Sequence, residues 1–78
     1  MSASLIMATD TILQIRLNGE HRSVPAGLSI AEMLGEIGLD ARKVAVERNL
    51  EIVPRSELGE VQVAEGDAFE IVHFVGGG

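Results

Sequence analysis

Seventy-eight residues make one domain with a small core, and the absence of cysteine removes disulfides, thiolate ligands and thiol nucleophiles. Twelve acids against six bases set a formal charge of −6, which argues against nucleic acid and against a membrane surface as partners; with no Trp, no Tyr and two Phe there is also no stacking platform for bases. No run is long enough to span a bilayer, the opening residues lack the basic region of a signal peptide, and the composition fits a cytoplasmic protein.

Residues 1–10 read as a flexible N-terminal extension, with Met1 and Met7 both open as the start, ahead of a domain spanning 11–78. From Thr11 to Leu17 the chain alternates, with Leu13, Ile15 and Leu17 on one parity, as a half-buried strand does. Asn18-Gly19 is a hairpin signal, so Glu20 to Val24 returns as a second strand until Pro25-Ala26-Gly27 breaks it. Ser29-Ile30-Ala31-Glu32 is a capping box, in which the hydroxyl and the carboxylate each accept from the other residue's amide. Ile30, Met33, Leu34 and Ile37 follow at helical spacing, and Gly38 then Leu39 fit a helix stop. One short helix cannot bury its stripe alone and must lie across a sheet.

Lys43 to Glu47 alternates around Val44 and Val46, and the helical crossover before it is long enough for parallel pairing. Arg48 to Glu51 reads as a turn, Ile52-Val53 as a short extended piece closed by Pro54, and Arg55 to Gly59 as a helical turn or loop. Val61 and Val63 predict one more short strand, and Glu65-Gly66-Asp67 a turn. The last strand runs from Ala68 to Val75, with Phe69 and Ile71 on one face and Glu70, Val72 and Phe74 on the other. The expected core is Leu13, Ile15, Leu17, Ile30, Met33, Leu34, Ile37, Val44, Val46, Phe69 and Ile71.

Conventional catalytic patterns are missing. His21 and His73 are the only imidazoles and have no metal-binding spacing with carboxylates, so no metal is expected. The carboxylates are scattered, and Gly66-Asp67 opens no helix that could cradle a phosphate. What stands out is the finish, Phe74-Val75-Gly76-Gly77-Gly78. Three glycines lose much entropy on ordering and have nothing to pack, so an inert frayed tail is one reading. The other is a tail kept bare so that Gly76 and Gly77 thread a narrow channel and present a Gly78 carboxylate to another protein. Val72 and Phe74 lie beside that tail as a candidate docking patch.

The strand order, the capped helix and the glycine finish resemble the ubiquitin-like β-grasp fold. More narrowly they resemble the bacterial sulfur carrier proteins of thiamine biosynthesis, the ThiS family. The matching residues are Leu17-Asn18-Gly19, Ser29 to Leu34, Asn49 with Ile52-Val53-Pro54-Arg55, Glu65-Gly66-Asp67 and the closing Gly77-Gly78, over about residues 11–78. Three terminal glycines instead of two, and the extension, are departures. The resemblance implies an α+β fold, one mixed sheet on a single main helix with a flexible Gly-Gly tail.

It also implies a carrier and co-substrate, not an enzyme. An adenylyltransferase partner of the ThiF type would use ATP and Mg²⁺ to adenylate Gly78, with no cofactor bound by the carrier itself. Sulfur from a persulfide-bearing protein would then leave a thiocarboxylate, and thiazole synthase of the ThiG type would take it. Other readings stay open: the small subunit of molybdopterin synthase, whose usual proline pair is missing from Val72-His73-Phe74-Val75, and a non-catalytic β-grasp interaction module. A lysine-linked modifier would have only Lys43 for building chains, and a ferredoxin needs the cysteines this chain lacks.

Overall fold

Alternation does place the first strand. In a computed structural model describing residues 11–74, β1 (Ile12–Leu17) pairs antiparallel with β2 (Glu20–Pro25) in the register Leu17↔Glu20 through Ile12↔Pro25. Asn18 (φ 51°) and Gly19 (φ 86°) take the left-handed conformations that a two-residue hairpin requires. Pro25 closes β2 as its last residue, a position open to proline because β2 is an edge strand.

The helix α1 (Ile30–Glu36) begins as its capping box dictates: Glu32 N–H donates to Ser29 Oγ at 3.1 Å and Ser29 N–H to Glu32 Oε1 at 2.9 Å. Its two leading amides are satisfied from elsewhere, Ile30 by the Val61 carbonyl at 2.9 Å and Ala31 by the Leu58 carbonyl at 2.8 Å. At the far end Gly38 (φ 88°) turns the chain. Leu39 N–H reaches the Leu34 carbonyl at 2.8 Å and Gly38 N–H the Gly35 carbonyl at 3.1 Å, the two bonds of a Schellman stop. Ile37 falls just beyond the helix as its C-cap.

A 3-10 turn (Ala41–Lys43) leads into β3 (Val44–Arg48), which pairs antiparallel with β4 (Glu51–Val53). This second hairpin also turns on two left-handed residues, Asn49 (φ 52°) and Leu50 (φ 72°). The exposed Leu50 holds that conformation at a cost of about 1–2 kcal/mol, which is why the sequence signals only a turn here. After a second 3-10 turn (Arg55–Glu57) the chain reaches β5 (Ala68–His73). β5 lies at the centre of the order β2-β1-β5-β3-β4, parallel to β1 and antiparallel to β3.

Two expectations change. The parallel pair is β1 with β5; β3 takes only antiparallel neighbours, because β5 inserts between it and the first hairpin. Val61 and Val63 form no strand. Gln62 makes an isolated bridge to Ser29, and Val63 N–H bonds the Leu28 carbonyl at 3.0 Å, so this segment serves the entrance to α1 and not the sheet.

The core lies between α1 and one face of the sheet. Ile15, Leu17, Ile30, Met33, Leu34, Val44, Val46, Phe69 and Ile71 are buried as the parities indicate, while Leu13 and Ile37 are only half-buried at its margin. Val24, Leu58 and Val63 join it from the edge strand and the long connection. Leu34 has no solvent exposure. Its truncation, Leu34→Ala, is expected to cost about 2–5 kcal/mol, measured as a shift in the denaturant midpoint. A midpoint equal to the parent's would place Leu34 outside the core.

Candidate functional site

β5 is the last described strand, so whatever holds β5 fixes the position of its end at His73 and Phe74. Its first residue is gripped by the second hairpin: Asn49 N–H donates to the Ala68 carbonyl at 2.8 Å, and Asn49 Oδ1 accepts from Ala68 N–H at 2.9 Å. Further along it is gripped by the first hairpin. Where β1 turns away at Asn18, that side chain takes over the ladder, Oδ1 accepting from Ile71 N–H at 2.7 Å and Nδ2 donating to the Ile71 carbonyl at 3.2 Å. The two asparagines occupy the same place in their hairpins, the first of two left-handed residues.

Beneath the Asn49 grip sits Asp67, which is 4% exposed. Its carboxylate accepts from Ala64 N–H at 2.8 Å, Arg48 Nε at 2.9 Å and Asn49 Nδ2 at 3.1 Å. Burial pushes this carboxyl up, but the Ala64 amide, the Asn49 amide and the Arg48 guanidinium together outweigh it and hold Asp67 below the usual carboxylate range. The loop before β5 is also fastened to β1, by Gly66 N–H on the Gln14 carbonyl at 2.8 Å and Arg16 N–H on the Asp67 carbonyl at 2.9 Å.

The exit itself is built at the other end of β5. Val72 lies opposite Ala45 in the register and is 63% exposed, on the face away from α1. Phe74 is 54% exposed; its N–H donates to the Lys43 carbonyl at 3.0 Å, and its ring centre lies 5.2 Å from the Arg55 guanidinium carbon. Phe74 borders an open, mainly apolar depression with Ile52, Val53, Pro54 and Arg55. Three of the six basic residues, Arg42, Lys43 and Arg55, belong to the segments that meet here, although the chain as a whole is acidic. The Arg42 guanidinium is taken up by Asp40, whose carboxyl is lowered to about 2 by that partner.

The expected docking residues Val72 and Phe74 are thus exposed at one end of the sheet. Gly76, Gly77 and Gly78, and the expected extension over residues 1–10, lie outside the described residues. Among the described residues no group of three or more His, Cys, Asp or Glu is arranged to hold a metal ion, and no helix is long and apolar enough to cross a membrane. Arg55, Asn18, Asn49 and Asp67 carry structural work that the sequence does not announce. The left-handed preference of Asn marks the turns, but not the strand that each side chain reaches.

A five-stranded mixed sheet on one helix, with the last strand at its centre between two hairpins, is a ubiquitin-like β-grasp fold. The chain belongs to the ThiS family, whose profile matches residues 15–78. It is 53% identical over 66 residues to a thiazole synthase of Paramagnetospirillum magneticum and 44% identical over 66 residues to one of Magnetococcus marinus. Each match covers 85% of this chain but 20% of the relative, so the chain spans about a fifth of the length of these curated relatives. The sulfur carrier protein ThiS of Bacillus subtilis is 44% identical over 50 residues, 64% of this chain and 76% of that one. Among solved structures, the thiamine biosynthesis protein (ThiS) of Geobacter metallireducens superposes with a TM-score of 0.71 at 32% identity, over 85% of this chain and 100% of that one.

Two outcomes are expected for the supports of β5. Asn18→Gly keeps the left-handed turn and deletes only the two bonds to Ile71, so equilibrium denaturation should show a loss of about 1–3 kcal/mol. An unchanged midpoint would mean that water replaces the carboxamide at no cost. For Asp67 the sign follows from its lowered folded pKa. In the unfolded chain this carboxyl titrates at about 3.9 and binds the proton first, so the Asp67 contribution is complete above that pH and is lost as pH falls through the folded value. Thermal melts from pH 7 to pH 2 should therefore fall more steeply in acid for the parent than for Asp67→Asn, which starts lower at neutral pH. Parallel curves would show that Asp67 is not the titrating support.

Proposed function

We propose that this chain is a sulfur carrier of thiamine biosynthesis whose Gly78 carboxylate is the reacting group. The observation that carries the reading is the family match, which runs through Gly76, Gly77 and Gly78. The chemistry divides between the carrier and its partners. A carboxylate resists nucleophiles, so an adenylyltransferase of the ThiF type, using ATP and Mg²⁺, would let a Gly78 oxygen attack the α-phosphorus and release pyrophosphate. The resulting acyl-adenylate has AMP as a leaving group. A protein persulfide sulfur displaces AMP, and reduction of the resulting acyl disulfide by a thiol leaves a thiocarboxylate at Gly78. Thiazole synthase is the acceptor in this reading, in keeping with relatives of that name.

The chain supplies position, not catalysis. β5 is held at Ala68 and Ile71, so the tail leaves from a fixed strand. Val72 and Phe74, exposed beside the exit, form the docking patch for the activating partner, and Gly76 and Gly77 thread its channel because they carry no Cβ. The carrier binds no metal or cofactor of its own and works in the cytoplasm.

Deleting Gly78 withdraws the carboxylate by about 3.3–3.6 Å in an extended chain. A misplacement of about 1 Å already costs on the order of 100-fold, so ATP–pyrophosphate exchange with the adenylyltransferase should be abolished. The deletion touches no core residue, and thermal melts should coincide with the parent's. Exchange at the parent rate would leave an inert β-grasp interaction module as the better reading.

A further inference from the structure

We infer that Arg55 is a positioning residue that fixes the direction in which the chain leaves the sheet toward Gly78; the inference rests on the sulfur-carrier reading above. Arg55 follows Pro54, whose ring fixes the local backbone (φ −59°) as the chain leaves β4. Its Nη1 donates to the Arg42 carbonyl at 2.7 Å, and its guanidinium carbon lies 5.2 Å from the centre of the Phe74 ring. Phe74 N–H in turn holds the Lys43 carbonyl at 3.0 Å. Three separate segments therefore meet at Phe74: the 3-10 turn after β4, the turn before β3 and the end of β5.

The chain carries twelve acids, yet among the described residues no carboxylate pairs with Arg55. The neighbouring Arg42 guanidinium is already held by Asp40 at 3.0 Å, so it does not compete for the ring. A guanidinium tied to a carbonyl through one nitrogen still presents its flat face to an aromatic ring, which a lysine ammonium cannot match. Gly78 lies four positions beyond Phe74, a reach of about 13–14 Å when extended. Over that length a rotation at Phe74 sweeps the carboxylate through several ångströms. Holding Phe74 by both backbone and ring narrows the volume the carboxylate searches.

The test is a double-mutant cycle on the full chain in the ATP–pyrophosphate exchange assay, with Arg55→Ala, Phe74→Leu and both together, beside ¹⁵N relaxation of the carrier alone. Arg55→Ala should lower kcat about two- to five-fold, the scale of an exposed cation–π contact, with KM moving less, whereas Phe74→Leu, which also trims the docking patch, should change KM as well. The double variant should be no slower than the slower single one, because both remove the same contact. Arg55→Lys should recover part of the rate. Order parameters of the Val75 and Gly76 amides should fall in Arg55→Ala. If Arg55→Ala melts below the assay temperature, Arg55→Gln takes its place in the cycle. Effects that multiply in the double variant, a change in KM alone for Arg55→Ala, or unchanged order parameters would each overturn the role of Arg55. A parent chain that is never adenylated rejects the sulfur-carrier reading instead, and the relaxation data still decide whether Arg55 holds the exit.

Discussion

Two asparagines complete the hydrogen bonding of the central strand just past the points where the strands beside it end. β1 ends at Leu17, opposite Phe69, and the chain must turn there to make its hairpin. Ile71 would then have an unpaired N–H and C=O in a half-buried position, each costly to leave without a partner. The Asn18 carboxamide has the same donor and acceptor as a peptide group, so it extends the ladder by one step without extending the strand. Asn49 does the equivalent work at Ala68, combining its side-chain oxygen with its own backbone N–H. Both need a left-handed backbone to aim the carboxamide across at β5, and Asn tolerates that conformation better than most residues.

The rest of the sheet depends on this arrangement. With β5 bonded from both hairpins, Phe69 and Ile71 are fixed against α1, and Val44 and Val46 on the adjacent strand complete the same face. The buried Asp67 joins the scheme by bonding the Asn49 amide, the Arg48 guanidinium and the Ala64 N–H at once. A buried carboxylate is tolerable here because a cation and two amide donors replace its water. The loop before β5, the second hairpin and the strand itself thereby become one hydrogen-bonded unit.

That unit has a functional direction. β5 is anchored toward its start and leads to a residue, Phe74, that is held by Lys43 and Arg55 but remains half exposed. Arg42, Lys43 and Arg55 lie in the segments that meet at Phe74, with Arg42 paired to Asp40.

Local signals were legible in the sequence because local physics sets them. The Ser29–Glu32 box, the Gly38 stop, the Asn18-Gly19 turn and the parities of β1, β3 and β5 depend on residues within a few positions of each other, and nine core residues follow from them. The ubiquitin-like class and the family were also readable, from the order of these signals and the glycine finish. Tertiary structure alone decided which strands meet. Parity assigns a residue to a face but says nothing of its neighbour, so the placement of β5 between the hairpins, and the diversion of Val61 and Val63 to the helix entrance, did not follow from it. The grip of Asn18 on Ile71 spans 53 residues, and the contact between Arg55 and Phe74 joins two ends of the sheet's second half. Such bonds exist only once the hydrophobic face has closed on α1, because the burial of that face brings the partners within hydrogen-bonding reach.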